Sequence, residues 1–461
     1  MIEPMTRLER MVRRTQSDAR VPALSVALHR ADRPPWTLQV GATGNDAPLD
    51  AHTQFRIGSV TKTFTAVLVM QCRDDGLLDL DDPIGAHLDV PAHGELTVRR
   101  LLSHTAGLQR EPHGDVWDTL APPGVERLIE DLVRVERVLA PARRYHYSNL
   151  ALAMLGHAVA RLRGGTWAEV LADRILRPLD LAGTSVLPNA RAATGFLVDA
   201  YSDHARPEPA TDFSAVAPAG QLWATAGDMA RWAAFLADPA AVDPSGGVLA
   251  PATLDEMRWP LTVTDETVWQ VGYGLGVMLL PRSGRVVHVG HDGAMPGFLA
   301  AVYGRRGGAD TPAAMGCAVL GSSGTAEAIF ELSHALLDRA VELDPADIPA
   351  WSPGPAAPAA YRGVLGRWWG EGFEYVFAWR AGRLEARAVN APADKPPSIF
   401  EPEPGEPDVL RTISGREAGE LLRLTRDAEG RVVRMHWATY RFTRAQETFD
   451  GVSPGDPLRA T

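Results

Sequence analysis

The sequence predicts an α+β protein: an antiparallel sheet flanked by helices, a helical domain inserted between its strands, and a small C-terminal β-domain. Three observations lead there. Strand-like runs near the N-terminus recur only after residue 285, and the stretch between them is mostly helical in its apolar spacing. A Pro/Ala-rich segment then precedes a second region of short strand-like runs. At 461 residues the chain is too long for one compact core.

Residues 3–18 set Met5, Leu8, Met11 and Val12 at helical spacing, and 22–30 and 36–42 read as two strands. FRIGS then leads into VTKTFTAVLVMQCRDDG, apolar at Val60, Phe64, Val67, Leu68 and Cys72 and stopped by Gly76. This predicts a buried helix whose first turn contains Ser59. Between 77 and 280, LTVRRLLSHTAGL, GVERLIEDLVRVERVL, NLALAMLGHAVARLRG and TAGDMARWAAFLAD are amphipathic at a period of 3.6. Strands are expected at 285–293, 298–304 and 313–320 and a helix at 325–341. The expected domains are 1–342, a linker at 343–360 containing LDPADIPAWSPGPAAPAA, and a β-domain at 361–450. In that last domain YRGVLGRWW, EYVFAWRAG, RLEARAV, ELLRLTRDAEG and RVVRMHWATYRF suggest a small sheet or barrel.

A formal net charge of −11 disfavours nucleic acid and anionic membranes as partners. No apolar run reaches the length that spans a bilayer. The N-terminus is charged and lacks an apolar signal core, so a cytoplasmic location is expected. Cys72 and Cys317 each sit in an apolar periodic stretch and read as buried free thiols. His288 and His291 are too isolated to suggest a metal, and no cofactor is implied. The sequence is silent on oligomeric state.

Lysine usage is the sharpest compositional signal. Of 46 basic residues only Lys62 and Lys395 are lysine. Lys395 lies in ADKPP, an expected exposed loop, whereas Lys62 lies inside the apolar helix. Arginine keeps its proton in proteins and lysine can lose it when desolvated, so a lysine retained there suggests proton chemistry.

Three short motifs extend this. In Ser59-Val60-Thr61-Lys62 the serine and lysine share a helix face, so a neutral amine could take the hydroxyl proton. A helix N-terminus would also stabilise developing negative charge. Read alone, the pair also fits a surface serine with a snorkelling lysine. In Tyr147-Ser148-Asn149 the phenol can shuttle protons, acidified by nearby cations, and the amide can bind an amide-like substrate. The alternative is that Asn149 caps the following helix and Tyr147 packs. In His291-Asp292-Gly293-Ala294 the glycine permits close backbone approach and the Ala294 N–H could donate to an oxyanion.

The three motifs in order, with FRIGSVTKTFTA, GLLDLDDPI, YHYSNLALAMLG, LRPLDLAGT, APAGQLWATAGDMARW, YGLGV and GHDGAMPGF between and around them, resemble the serine β-lactamase and penicillin-binding-protein family. The likeness is to the branch of class C β-lactamases, D-alanyl-D-alanine carboxypeptidases and related esterases, over roughly residues 5–341. It implies a β-lactamase-like sheet with an inserted helical domain. It implies Ser59 as acylated nucleophile, Lys62 and Tyr147 as proton-transfer partners, and Asn149 as a substrate-binding amide. Ser59 and Ala294 would supply oxyanion N–H groups, with Gly293 beside them and His291 lining the site from the strand. His104 is read as a structural hydrogen-bonding histidine. The residues after 355 resemble the small lipocalin-like domains fused to some of these hydrolases.

The family's third motif is Lys-Thr-Gly, and here it is His-Asp-Gly. A permanent cation is replaced by a group mostly neutral near pH 7, with Asp292 a possible anion beside it. The resemblance therefore implies an esterase- or peptidase-like enzyme acting on small-molecule ester, amide or short peptide substrates. The alternatives are a true β-lactamase or D-alanyl-D-alanine carboxypeptidase, and a non-catalytic binding protein on the same fold. Loops 109–125 and 196–220 are expected to shape the pocket.

Overall fold

In the computed structural model the first strand of the chain pairs with the last strand of the same sheet, Leu24 opposite Gly321 through Arg30 opposite Met315. The structure describes residues 4–142, 144–283, 286–306, 314–345, 350–393 and 395–448. Residue 3 of the expected first helix, 285 and 313 at the starts of two expected strands, 346–349 of the expected linker and 449–450 of the last domain lie outside the described residues. Contacts divide the chain between residues 347 and 348 into two units.

In the first unit we label the main elements α1 (Pro4–Asp18), β1 (Ala23–Arg30), β2 (Trp36–Gly41), α2 (Thr61–Asp74), α3 (Asn149–Arg163), α4 (Ala226–Ala237), β3 (Thr262–Val263), β4 (Gly272–Tyr273), β5 (Met278–Pro281), β6 (Val287–Met295), β7 (Phe298–Arg305), β8 (Met315–Gly321) and α5 (Ala328–Leu343). The strands form one antiparallel sheet in the order β2-β1-β8-β7-β6-β5-β4-β3. Alternation along β1 sends Val26 and Leu28 to one face, where they meet Leu8 and Val12 of α1 and Leu336 and Leu337 of α5. Ala27 points to the other face, toward Trp232 and Phe235 of α4 and the core of the helical insertion. Helices cover both faces, so β7 and β8 are buried almost throughout and read as continuous apolar runs.

The insertion holds fewer long helices than the apolar spacing predicts. LTVRRLLSHTAGL is helical only over Val98–Leu102, because His104 (φ 56) and Gly107 (φ 73) turn the chain left-handed. GVERLIEDLVRVERVL is helical over Val125–Glu130, tightens to a 3₁₀ turn at Asp131–Arg134 and becomes extended at Val135. Helix α2 is buried along nearly its whole length, and its threonines are each satisfied. Thr63 Oγ1 donates to Val60 O and accepts from Trp232 Nε1, while Thr65 Oγ1 donates to Pro218 O and accepts from Trp167 Nε1. Phe64 stacks on Trp232 with ring centroids 3.9 Å apart. Cys72 and Cys317 are both free and buried.

The second unit is a closed antiparallel barrel of eight strands, from Gly366–Gly370 to Tyr440–Thr443. Two of them, Ser398–Pro402 and Val409–Ser414, fall in a proline-rich stretch where the sequence suggests no strand. Trp368, Tyr375, Phe377, Phe400, Trp437 and Phe442 fill the interior. Two indole N–H groups find partners there, Trp368 Nε1 donating to Val364 O at 2.6 Å and Trp437 Nε1 to Thr412 Oγ1 at 2.9 Å, while Trp379 Nε1 is buried without one.

Candidate active site

Ser59 sits on a 3₁₀ turn, Gly58–Val60, that runs directly into α2. The serine thus lies one tight turn before the α-helix, and Lys62 lies in the helix's first turn. Lys62 is fully buried. Its Nζ donates to Ser59 Oγ at 3.0 Å and to the Ala219 carbonyl at 2.7 Å. Burial holds the ammonium well below its ordinary pKa; the Glu111 carboxylate opposes this and the Arg110 guanidinium adds to it. The snorkelling alternative is therefore not what the fold builds.

Tyr147 completes the group. Its ring centroid is 4.8 Å from Lys62 Nζ and 4.8 Å from Arg110 Cζ, and its phenol lies near Ser59. Nearby cations do not acidify it on balance: burial dominates and raises its pKa, so the phenol keeps its proton at neutral pH. His104 backs this ring at 4.5 Å and also contacts Tyr145 and Tyr273. The Ser148 N–H donates to His104 Nδ1 at 3.1 Å, which leaves the ring proton on Nε2. That Nε2 is buried with no hydrogen-bond partner.

Helix α3 is capped by Ser148, whose hydroxyl accepts from the Ala151 N–H. Asn149 is thereby released from capping. Its Nδ2 donates to Glu111 Oε1 at 2.6 Å, and its N–H donates to Arg110 O at 2.7 Å.

The third motif lies on β6. Strand β5 pairs only with Val287–Gly290 of β6, so residues 291–295 are free on that edge. This half of β6 packs against the turn before Ser59. A Cβ on Gly293 would fall 1.9 Å from Ile57 O, and one on Gly58 (φ 51) would fall 2.7 Å from Ala294 N. Both positions need glycine for this approach. Alternation sends His291 and Asp292 to opposite faces. His291 Nδ1 donates to Asp292 O at 2.5 Å and Nε2 accepts from Tyr273 OH at 3.3 Å. Burial lowers the His291 pKa to about 3, so it is neutral. Asp292 faces away from Ser59, near Tyr303 and Glu331, and burial raises its pKa to about 6. Its charge still bears on Tyr147, whose pKa it helps to raise.

A cavity of about 350 Å³ opens above Ser59. Ser59, Asn149 and Ala294 line it; Lys62 and Tyr147 contact Ser59 from below its wall. His291 and Gly293 do not line it. His291 is buried, its ring centroid 6.1 Å from that of Tyr147. Sequence reasoning assigned no role to Arg110, Glu111, Trp117 and Phe213, which also line the cavity. All four fall in the two loops expected to shape the pocket. Tyr273, in the YGLGV stretch, was equally unassigned, and only the fold brings it to His291.

The geometry is matched by likeness to known proteins. The family model described as Beta-lactamase matches residues 8–322, and one described as a domain of unknown function, DUF7586, matches 357–444. Penicillin-binding protein 4 of Amycolatopsis lactamdurans is 31% identical over 276 residues, 55% of this chain and 69% of that protein. Against two other curated relatives, of human and Dictyostelium discoideum origin, the chain spans about half their length. The crystal structure of SurE superposes with a TM-score of 0.62 at 24% identity, covering 96% of this chain and 99% of that one. The D-amino acid amidase of Ochrobactrum anthropi SV3, complexed with L-phenylalanine amide, gives 0.58 at 23% identity, over 73% and 98%. At these identities the structures speak to the fold.

Proposed function

The chain belongs to the beta-lactamase family, and from that premise we propose that it is a serine hydrolase. In this reading it forms an acyl-enzyme on Ser59 and cleaves an ester or amide bond of a small-molecule or peptide substrate. One observation carries it: a fully buried lysine amine 3.0 Å from a serine oxygen that lines a cavity.

The chemistry follows from the protonation states. As a neutral amine Lys62 keeps an N–H bond to Ala219 O and turns its lone pair to the Ser59 O–H. The Ser59 oxygen attacks the carbonyl carbon, and its proton passes to Lys62. The carbonyl oxygen becomes an oxyanion, received by the Ser59 and Ala294 N–H groups. The protonated Tyr147 phenol, near Ser59, passes a proton to the departing oxygen or nitrogen, and Lys62 restores it. Cleavage leaves an ester on Ser59. Water, giving its proton to Lys62, then attacks that ester, and Lys62 returns the proton to the Ser59 oxygen as the acid leaves. Asn149, braced by Glu111, orients the substrate from the cavity wall. His291 and His104 position Tyr273 and Tyr147 and touch no substrate.

The D-amino acid amidase that shares the fold supports an amide substrate, and a penicillin-binding protein shares the family. A fluorophosphonate probe is expected to add to Ser59 in the wild type and not in Ser59→Ala, with p-nitrophenyl ester hydrolysis lost in parallel. Labelling that is absent, or equal in both, overturns the reading. A true β-lactamase or D-alanyl-D-alanine carboxypeptidase is the second reading, favoured by the same relatives. The neutral His291 in place of a cation speaks against it, and ester turnover well above nitrocefin turnover is the expected outcome. A binder without turnover would form no adduct and release no product.

A further inference from the structure

The cavity above Ser59 has a chemically divided lining. Arg110, Glu111 and Asn149 supply polar atoms, while Trp117, Phe213 and Val216 are apolar. Phe213 is firmly held: it is buried, and its N–H donates to Gln221 Oε1 at 2.9 Å. The same oxygen accepts from Arg56 Nη2 at 2.9 Å, and that guanidinium lies 5.0 Å from the Phe213 ring. His157 Nε2 donates to Ala215 O at 2.8 Å and ties the next residues to α3. Trp117 is different. It stands on a four-residue helical turn, Val116–Thr119, its ring 5.1 Å from Phe213, and it is 43% exposed. A large, partly exposed aromatic beside a fixed aromatic floor, within reach of a nucleophile, is what a bulky apolar group covers on binding.

We propose that Trp117 and Phe213 form a subsite for an aromatic or branched apolar group on the acyl portion of the substrate, with Trp117 determining specificity. The inference rests on the acyl-enzyme reading of Ser59. The acyl side is assigned because the acyl portion stays bound to Ser59, which lines the same cavity, until water releases it. Phe213 and Val216 are both buried, so the group they hold is retained through both steps.

p-Nitrophenyl phenylacetate and p-nitrophenyl acetate share a leaving group, so the ratio of their kcat/KM values reads the acyl side alone. Fluorophosphonate labelling of Ser59 counts active sites in each variant. The wild type is expected to favour the phenylacetyl ester by about tenfold or more. Trp117→Ala should reduce that ratio by about tenfold, and Trp117→Phe should restore most of it. A wild-type ratio near one, or a ratio unchanged in Trp117→Ala, with Ser59 still labelled, overturns the subsite and leaves the acyl-enzyme reading standing. Failure of the wild type to label overturns that reading, and the subsite with it.

Discussion

Lys62 Nζ lies 3.0 Å from Ser59 Oγ in a chain that otherwise uses arginine for its cations almost everywhere. If proton transfer is what the position requires, charge alone will not serve. Lys62→Arg is expected to lower kcat/KM for p-nitrophenyl acetate by about 10²–10⁴-fold. The acid limb of the wild-type pH profile follows from the same residue. Activity needs the neutral amine and falls as pH drops through a lysine pKa held well below its ordinary value. Near-wild-type rates in Lys62→Arg across the pH range would rule out this role.

Glu111 and Arg110 pull that limb in opposite directions. The Glu111 carboxylate raises the Lys62 pKa and the Arg110 guanidinium lowers it. Glu111→Gln should therefore move the acid limb of kcat/KM to lower pH, and Arg110→Gln to higher pH. Both shifts should shrink in high salt, less so than for an exposed pair, because Lys62 is buried. Shifts of the same sign in the two variants would mean the limb belongs to another group.

Gly293 sets the distance between β6 and the serine turn. A Cβ there would fall 1.9 Å from Ile57 O, so Gly293→Ala must push the strand away. We expect a loss of about 1–3 kcal/mol in unfolding free energy. Activity should fall about 10²-fold as Ala294 moves from Ser59. Denaturant melts and ester kinetics on the same sample separate the two effects, and an unaltered kcat/KM would show that the approach is not needed.

Asp292 offers a test that does not involve catalysis. Its carboxyl titrates near 3.8 when unfolded and about 6 when folded. Between those values the native state holds a proton that the unfolded state has released, so this residue's contribution declines as pH rises from about 4 to 6. Asp292→Asn removes the penalty. The variant should match the wild type below about pH 4 and be more stable by about 2–3 kcal/mol above pH 6. Thermal unfolding at pH 4 and pH 8 measures both ends; a pH-independent difference would contradict the burial argument.

The Ser59–Lys62 pair was legible in the sequence because its signal is compositional and local: a rare lysine three residues from a serine, inside an apolar run. The order of strands and insertion was legible for a similar reason, since both-face burial writes continuous apolar runs into β7 and β8. What the sequence hid depends on tertiary neighbours. His291 carries no mark that it turns toward Tyr273 and not the cavity. Glu111 and Trp117 sit in loops whose polarity resembles any surface. The barrel strands Ser398–Pro402 and Val409–Ser414 are masked by prolines that lie at their ends and between them, where no ladder N–H is needed.

The pairing of β1 with β8 has a consequence for how the molecule is made. Leu24 meets Gly321, so its partner emerges from the ribosome only after nearly three hundred further residues. Such distant closure is slow. Until it happens, the N-terminal hairpin of β1 and β2 lacks its strand partner on the β1 edge. The sheet that carries β6 against the Ser59 turn is therefore completed on its N-terminal side only late in synthesis.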